Sequence, residues 1–232
     1  MTFVIGGAVG QESKIMVRQT STLSYYVDHV IVSLPFVVGT VVTAGLVMGT
    51  SGLAYAVDLG VINDALNVPF LMPSRYPAAE DLHGDVPLKY FAEPLRSQLY
   101  ARVQRLGPDL DGAFNYDIAG RLSGNWYATI DGSPISFCYD TYDPSRVLIS
   151  IGSGSTQGVY GIRAGDPSPR DVSTSSGKVL YTLARTQSGQ NPPIDSIVVY
   201  LLVQLTDDTH LRTEFFSARP ADFTSAARTW TR

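Results

Sequence analysis

Two residues able to do acid–base or metal chemistry, His29 and Asp58, stand at the ends of a stretch of 28 residues without a single charge. A third, His83, lies downstream among Asp64, Asp81 and Asp85. Two imidazoles and a carboxylate are a recognised donor set for zinc or iron, and a metal held that way can activate water for hydrolysis. That chemistry requires His29, Asp58 and His83 to converge. The third histidine, His210, opens a strand-like segment and reads as a surface residue.

The charge-free run between His29 and Asp58 has two readings. About 20 uncharged apolar residues can span a bilayer, and Gly39, Val42, Gly45 and Gly49 recur at a spacing that could make a small-residue helix face. Pro35, four glycines and several Ser and Thr residues interrupt it, however, and no Lys, Arg or Trp anchors flank it. The β-branched runs Val30 to Ser33, Phe36 to Val38, Val41 to Thr43, Leu46 to Met48 and Leu53 to Val57, punctuated by glycine, predict short buried strands instead, with no membrane span.

Composition narrows the classes. A net charge of −4, three lysines and no basic run argue against nucleic acid as a partner. A hydrophobic content of 44% in 232 residues is enough for a sizeable core and excludes wholesale disorder. The lone Cys138 rules out an internal disulfide and a cysteine zinc site, and reads as a buried strand residue between Phe137 and Tyr139. Residues 1–11 lack the basic start and long apolar stretch of a signal peptide. No glycine-serine elbow or phosphate loop is present, and the Asp140/Asp143 and Asp207/Asp208 pairs read as turn caps.

The elements that must position these residues are mainly strands. Residues 1–84 form a glycine-punctuated β unit that ends in a polar loop. Residues 85–109 form a helical linker, with a short turn at 87–92 and a longer helix at 94–106. Leu95, Leu99, Val103 and Leu106 supply its apolar stripe, and Gly107-Pro108 stops it. Residues 110–232 carry strand runs at Ala113 to Ile118, Leu122 to Ile130, Ile135 to Tyr139, Val147 to Ile151, Gly158 to Arg163, Lys178 to Arg185, Ile197 to Leu205 and Leu211 to Phe216. The turns between them include Asp131-Gly132 and Ser188-Gly-Gln-Asn-Pro-Pro193, and the whole predicts an antiparallel barrel or sandwich. Trp126, Tyr127, Phe137, Tyr139, Tyr142 and Tyr160 could ring a ligand mouth there, their apolar rings and polar tips suiting a glycan or a small amphipathic molecule.

Two resemblances add to this. Gly120-Arg-Leu-Ser-Gly124-Asn125-Trp126-Tyr127 resembles the opening strand of lipocalin-like barrels, in which the Trp closes one end. Tyr25-Tyr26-Val27-Asp28-His29, then Val38-Gly39-Thr40-Val41-Val42-Thr43-Ala44-Gly45 and Met48-Gly49-Thr50-Ser51-Gly52, resembles the core of lysostaphin-type zinc endopeptidases over residues 15–62. In that family a Tyr-Ala-His-Leu-like strand supplies an active-site His, and a glycine hairpin leads into a His-x-His strand. His29 falls on the first position, Ala56 on the first His of the pair and Asp58 on the second. The family's upstream His-x-x-x-Asp ligands have no counterpart in residues 1–24. The resemblance thus implies a peptidase scaffold with a degenerate metal set, too sparse for tight zinc binding. The expected function is a non-catalytic binding or structural protein of the bacterial envelope or exterior, taking a glycan, a peptidoglycan fragment or a small amphipathic ligand. The alternative is a metal-dependent hydrolase using His29 and Asp58. No sequence feature sets the oligomeric state.

Overall fold

Six short strands form one antiparallel sheet in the first part of a computed structural model that describes residues 2–6, 9–52, 56–186 and 198–232, with backbone alone at 2–6 and 198. The chain divides into two units, residues 1–68 with 73–102, and 69–72 with 103–232. The strands of unit 1 are β1 (Thr2–Gly6), β2 (Glu12–Arg18), β3 (Leu23–Val32), β4 (Gly49–Ser51), β5 (Asp58–Asn63) and β6 (Gly84–Asp85). They are ordered β1-β2-β3-β5-β6, with β4 beside the second half of β3.

A single irregularity organises this sheet. Along β2 and β3 the register runs Val17 to Tyr25 and Ile15 to Val27, then resumes at Ser13 to Val30, so Lys14 faces both Asp28 and His29. The extra residue is accommodated by His29, whose φ of 62 lies in the left-handed region. Strand side chains alternate with a period of two, so the inserted residue flips the phase. Val30 and Val32 therefore join Ile15 and Val17 in one apolar cluster with Tyr25 and Val27 packed against it. Opposite Tyr26 stands Gly60, where a Cβ would come within 2.1 Å of the tyrosine ring. The ring lies across β5 because glycine leaves that space.

Residues 33–48 correct the predicted strands at Phe36 to Val38, Val41 to Thr43 and Leu46 to Met48. They form turns closed by Thr40 N to Val37 O at 3.0 Å and Leu46 N to Thr43 O at 3.2 Å, with Gly39 and Gly45 at positive φ. Val42 is buried, whereas Val37, Val38, Val41 and Val47 are 68, 70, 73 and 71% exposed. β-branched residues favour a pleated surface only where a partner strand covers them, and these side chains have none. Residues 53–55 of the Leu53 to Val57 run lie outside the described residues, as do Ile197 and the 188–193 turn.

The predicted helix at 94–106 is also shorter in the structure. α1 spans Ala79–Leu82 and α2 spans Leu95–Tyr100, with 3-10 turns at Pro73–Arg75 and Pro87–Tyr90. The expected stripe does not form a buried face, and Leu95 and Leu106 are both exposed. Past residue 102 the chain belongs to unit 2. There Leu106 N donates to Tyr142 O, and the Arg105 side chain binds the carbonyls of Asp109 and Thr141.

Unit 2 is a closed eight-stranded antiparallel barrel. Its strands are β7 (Gly124–Ala128), β8 (Pro134–Tyr139), β9 (Val147–Ile151), β10 (Gly158–Ile162), β11 (Val179–Arg185), β12 (Val198–Leu205), β13 (His210–Phe216) and β14 (Arg228–Thr231). Each pairs with its successor, and β14 closes on β7 through Trp230 to Ala128 and Thr231 to Tyr127. Residues 113–118, expected as a strand, form none. The Asp117 carboxylate instead takes the backbone N–H groups of Leu71 and Asn125. Alternation sends Trp126, Phe137, Ile149, Tyr181, Leu183, Leu201, Leu211 and Trp230 inward, where they fill the barrel. Outward positions are mixed, with Asn125, Ser136, Thr182, Gln204 and Arg212 beside Leu148, Leu180, Tyr200 and Leu202. Among the described residues no helix is long and apolar enough to cross a membrane.

Trp126 belongs to the barrel core. It is fully buried, its indole N–H donates to Leu122 O at 2.9 Å, and the Arg232 guanidinium stacks on its ring at 4.0 Å. Trp126→Ala should lower the unfolding free energy by about 3–5 kcal/mol, read from urea denaturation of the full chain. On β8, burial pushes the Cys138 thiol up to about 11. A thiol reagent at pH 8 should therefore modify Cys138 slowly in the native protein and promptly in urea.

Candidate functional site

The bulge that sets the phase of β3 also gathers the charged residues of unit 1. His29 Nδ1 lies 2.8 Å from Glu12 Oε1, and Nε2 lies 3.6 Å from Asp58 Oδ2. Asp28 pairs with Asp58 across β3 and β5, and its carboxylate caps the His29 N–H at 2.8 Å. Lys14 sits over the Tyr26 ring at 4.2 Å, 2.7 Å from Glu80 and 3.9 Å from Asp28. His29 and Asp58 are thus brought together, but each imidazole nitrogen already faces a carboxylate.

His83 stands elsewhere. Its carbonyl accepts the Asn63 N–H at the far end of β5, five residues from Asp58, or about 16 Å along a strand. Its Nδ1 lies 2.5 Å from the Leu66 carbonyl, which fixes that nitrogen as the donor. The surrounding carboxylates are committed locally. Asp64 pairs with Arg18, and Asp85 takes the Tyr90 hydroxyl and the Val86 N–H. Among the described residues, no group of three or more His, Cys, Asp or Glu side chains is arranged to hold a metal ion. His210 lies beside Asp207, which the Thr209 N–H and His210 hold down at about 2. Asp140 caps its turn through the N–H groups of Tyr142 and Asp143.

The aromatic residues of unit 2 do not ring an open mouth. Trp126 and Phe137 are fully buried, and Tyr139 and Tyr160 nearly so; Trp126, Phe137 and Tyr160 belong to the barrel core, and Tyr139 lines a separate surface cavity. Tyr127 is on the other face of β7 from Trp126, and Tyr142 is exposed in the turn after β8. Tyr160 donates its hydroxyl to Thr156 O, as a core tyrosine does.

The structure reveals a cleft in unit 1 of about 350 Å³ that the motif search did not single out. Register explains its floor, since Tyr25 opposes Val61 and Val27 opposes Leu59, one apolar patch shared by β3 and β5. Pro87, Tyr90 and Phe91 form its wall. Tyr90 is held there by its hydrogen bonds, donating to Asp85 at 2.8 Å and accepting from Asn63 Nδ2 at 2.9 Å. Burial raises the pKa of the Tyr25 hydroxyl, which makes no hydrogen bond among the described residues. Gln19 adds an amide at the rim. The sequence signal was the alternating Leu23, Tyr25, Val27 facing Leu59 and Val61, visible only once the pairing of the two strands is known.

The hydrogen bond that His29 donates to Glu12 raises the His29 pKa above its ordinary 6.5, with Asp28 and Asp58 adding to it. The stabilisation gained by protonated His29 is therefore complete below 6.5 and lost as pH rises through the folded value. An NMR titration of the imidazole should show a midpoint above 6.5, and Glu12→Gln should bring it back toward that value.

No family model matches the chain, and no curated protein or solved structure matches it either.

Proposed function

We propose that the chain is a non-catalytic binding protein whose unit 1 cleft takes a small amphipathic ligand. The observation that carries this reading is an apolar hollow of drug-sized volume with unused polar groups at its edge. The ligand's apolar body lies on Val27, Leu59 and Val61, and its polar head meets the Tyr25 hydroxyl and the Gln19 amide. Val27, Leu59 and Val61 give the floor an aliphatic stretch beside Tyr25, which suits the apolar body of an amphipathic molecule. The engagement of both His29 nitrogens by Glu12 and Asp58 supports a structural role for that histidine over a catalytic one.

Titration with the neutral fluorescent probe N-phenyl-1-naphthylamine tests the reading. Saturable binding at one site is expected, and Leu59→Asp, at a position already 37% exposed, should weaken it by about tenfold or more without lowering the melting temperature. Probe fluorescence that never saturates, or that is indifferent to Leu59→Asp, would overturn it.

A further inference from the structure

A second cavity of about 350 Å³ opens at the surface of unit 2 and differs in chemistry from the first. Its cationic part is Arg146, only 18% exposed, which is held from behind by Asp140, itself fully buried, at 3.4 Å. Thr186 Oγ1 accepts from the other terminal nitrogen at 3.3 Å. The guanidinium is thus oriented before any ligand arrives, and Arg146 is one of the residues lining the cavity. Arg163, exposed, faces the same space. Apolar contact comes from Val147 and Ile162, and from Tyr139, whose hydroxyl lies 2.7 Å from Ser168 Oγ and whose ring carries Arg170 at 3.8 Å.

Arg146 and Arg163 line the cavity against one carboxylate, Asp166, which accepts the Thr182 N–H, while Asp140 pairs with Arg146.

We infer that this cavity is a binding site for a small organic carboxylate with a short apolar body. The planar fork of Arg146 and the cation of Arg163 take the carboxylate, and Val147, Ile162 and Tyr139 receive the body. The site is built from unit 2 alone and stands independently of the unit 1 cleft.

Isothermal titration of the full chain with octanoate, and with octanol as its uncharged counterpart, tests the inference. In the Leu59→Asp protein, whose unit 1 cleft is disabled, octanoate should saturate one site, and octanol should bind that site at least tenfold more weakly. Arg146 supports a buried aspartate, so its variants risk unfolding. Arg163→Gln is at an exposed position and should weaken octanoate binding about fivefold while leaving octanol unchanged. Leu59→Asp, which disables the unit 1 cleft, should leave the Arg163-dependent octanoate site intact. Equal binding of octanol and octanoate, unsaturable octanoate binding, or an Arg163→Gln protein that binds octanoate as the parent does would each overturn it.

Discussion

The barrel depends on how its first and last strands meet. β14 and β7 share a short ladder, so closure falls to the side chains around it. Arg232 reaches across the joint, giving its terminal nitrogens to the carbonyls of Ile118, Arg121 and Ser123 while its plane covers Trp126. Burial lowers its pKa to about 10, which still leaves it charged at neutral pH, held by carbonyl dipoles and an aromatic face. The bonded groups of Arg232 and Ser123 are 109 residues apart in sequence, and closing a loop of that length costs about 4 kcal/mol of chain entropy. Burial of Trp126 is of the same order. Every other strand pair of the barrel joins neighbours in sequence, so this joint is where the ring is most expensive to close.

Unit 1 depends on a smaller device. One extra residue in β3 divides the sheet's chemistry between its two faces. Before the bulge Tyr25 and Val27 belong to the apolar face, and after it Val30 and Val32 do, while Glu12, Lys14 and Asp28 stay on the other. The cleft and the charged cluster are back to back on the same strands. That explains why His29 is costly to its backbone and yet well partnered by its side chain. Its left-handed φ is repaid by an ion pair to β2 and a second carboxylate from β5.

The barrel was legible because its inward positions alternate: Val179, Tyr181 and Leu183, or Ile135, Phe137 and Tyr139, announce their strands. β14 was not legible, since Arg228-Thr-Trp-Thr231 has one apolar residue, and the arginine packs beside Trp230 at 4.9 Å through a stacking that alternation does not encode. The valines of 37–47 misled in the opposite way, their β preference going unused for want of a partner strand. Of the site residues, the nearness of His29 and Asp58 followed from strand order. The distance of His83 followed from register, and the inward turn of Trp126, Phe137 and Tyr160 from phase. Both cavities lie between segments far apart in sequence, which is why local motifs pointed to neither.

The uncharged turns at 37–47 have a thermodynamic consequence of their own. Their exposed valines lie in a stretch with no charged residue of its own. Any association made through them would strengthen in sulfate and fade on cooling, the signature of apolar desolvation. An association made through the carboxylates around His29 would weaken with added salt instead. Two regions of the same sheet therefore answer to opposite solvent variables, so a salt and temperature series would tell which of them any partner touches.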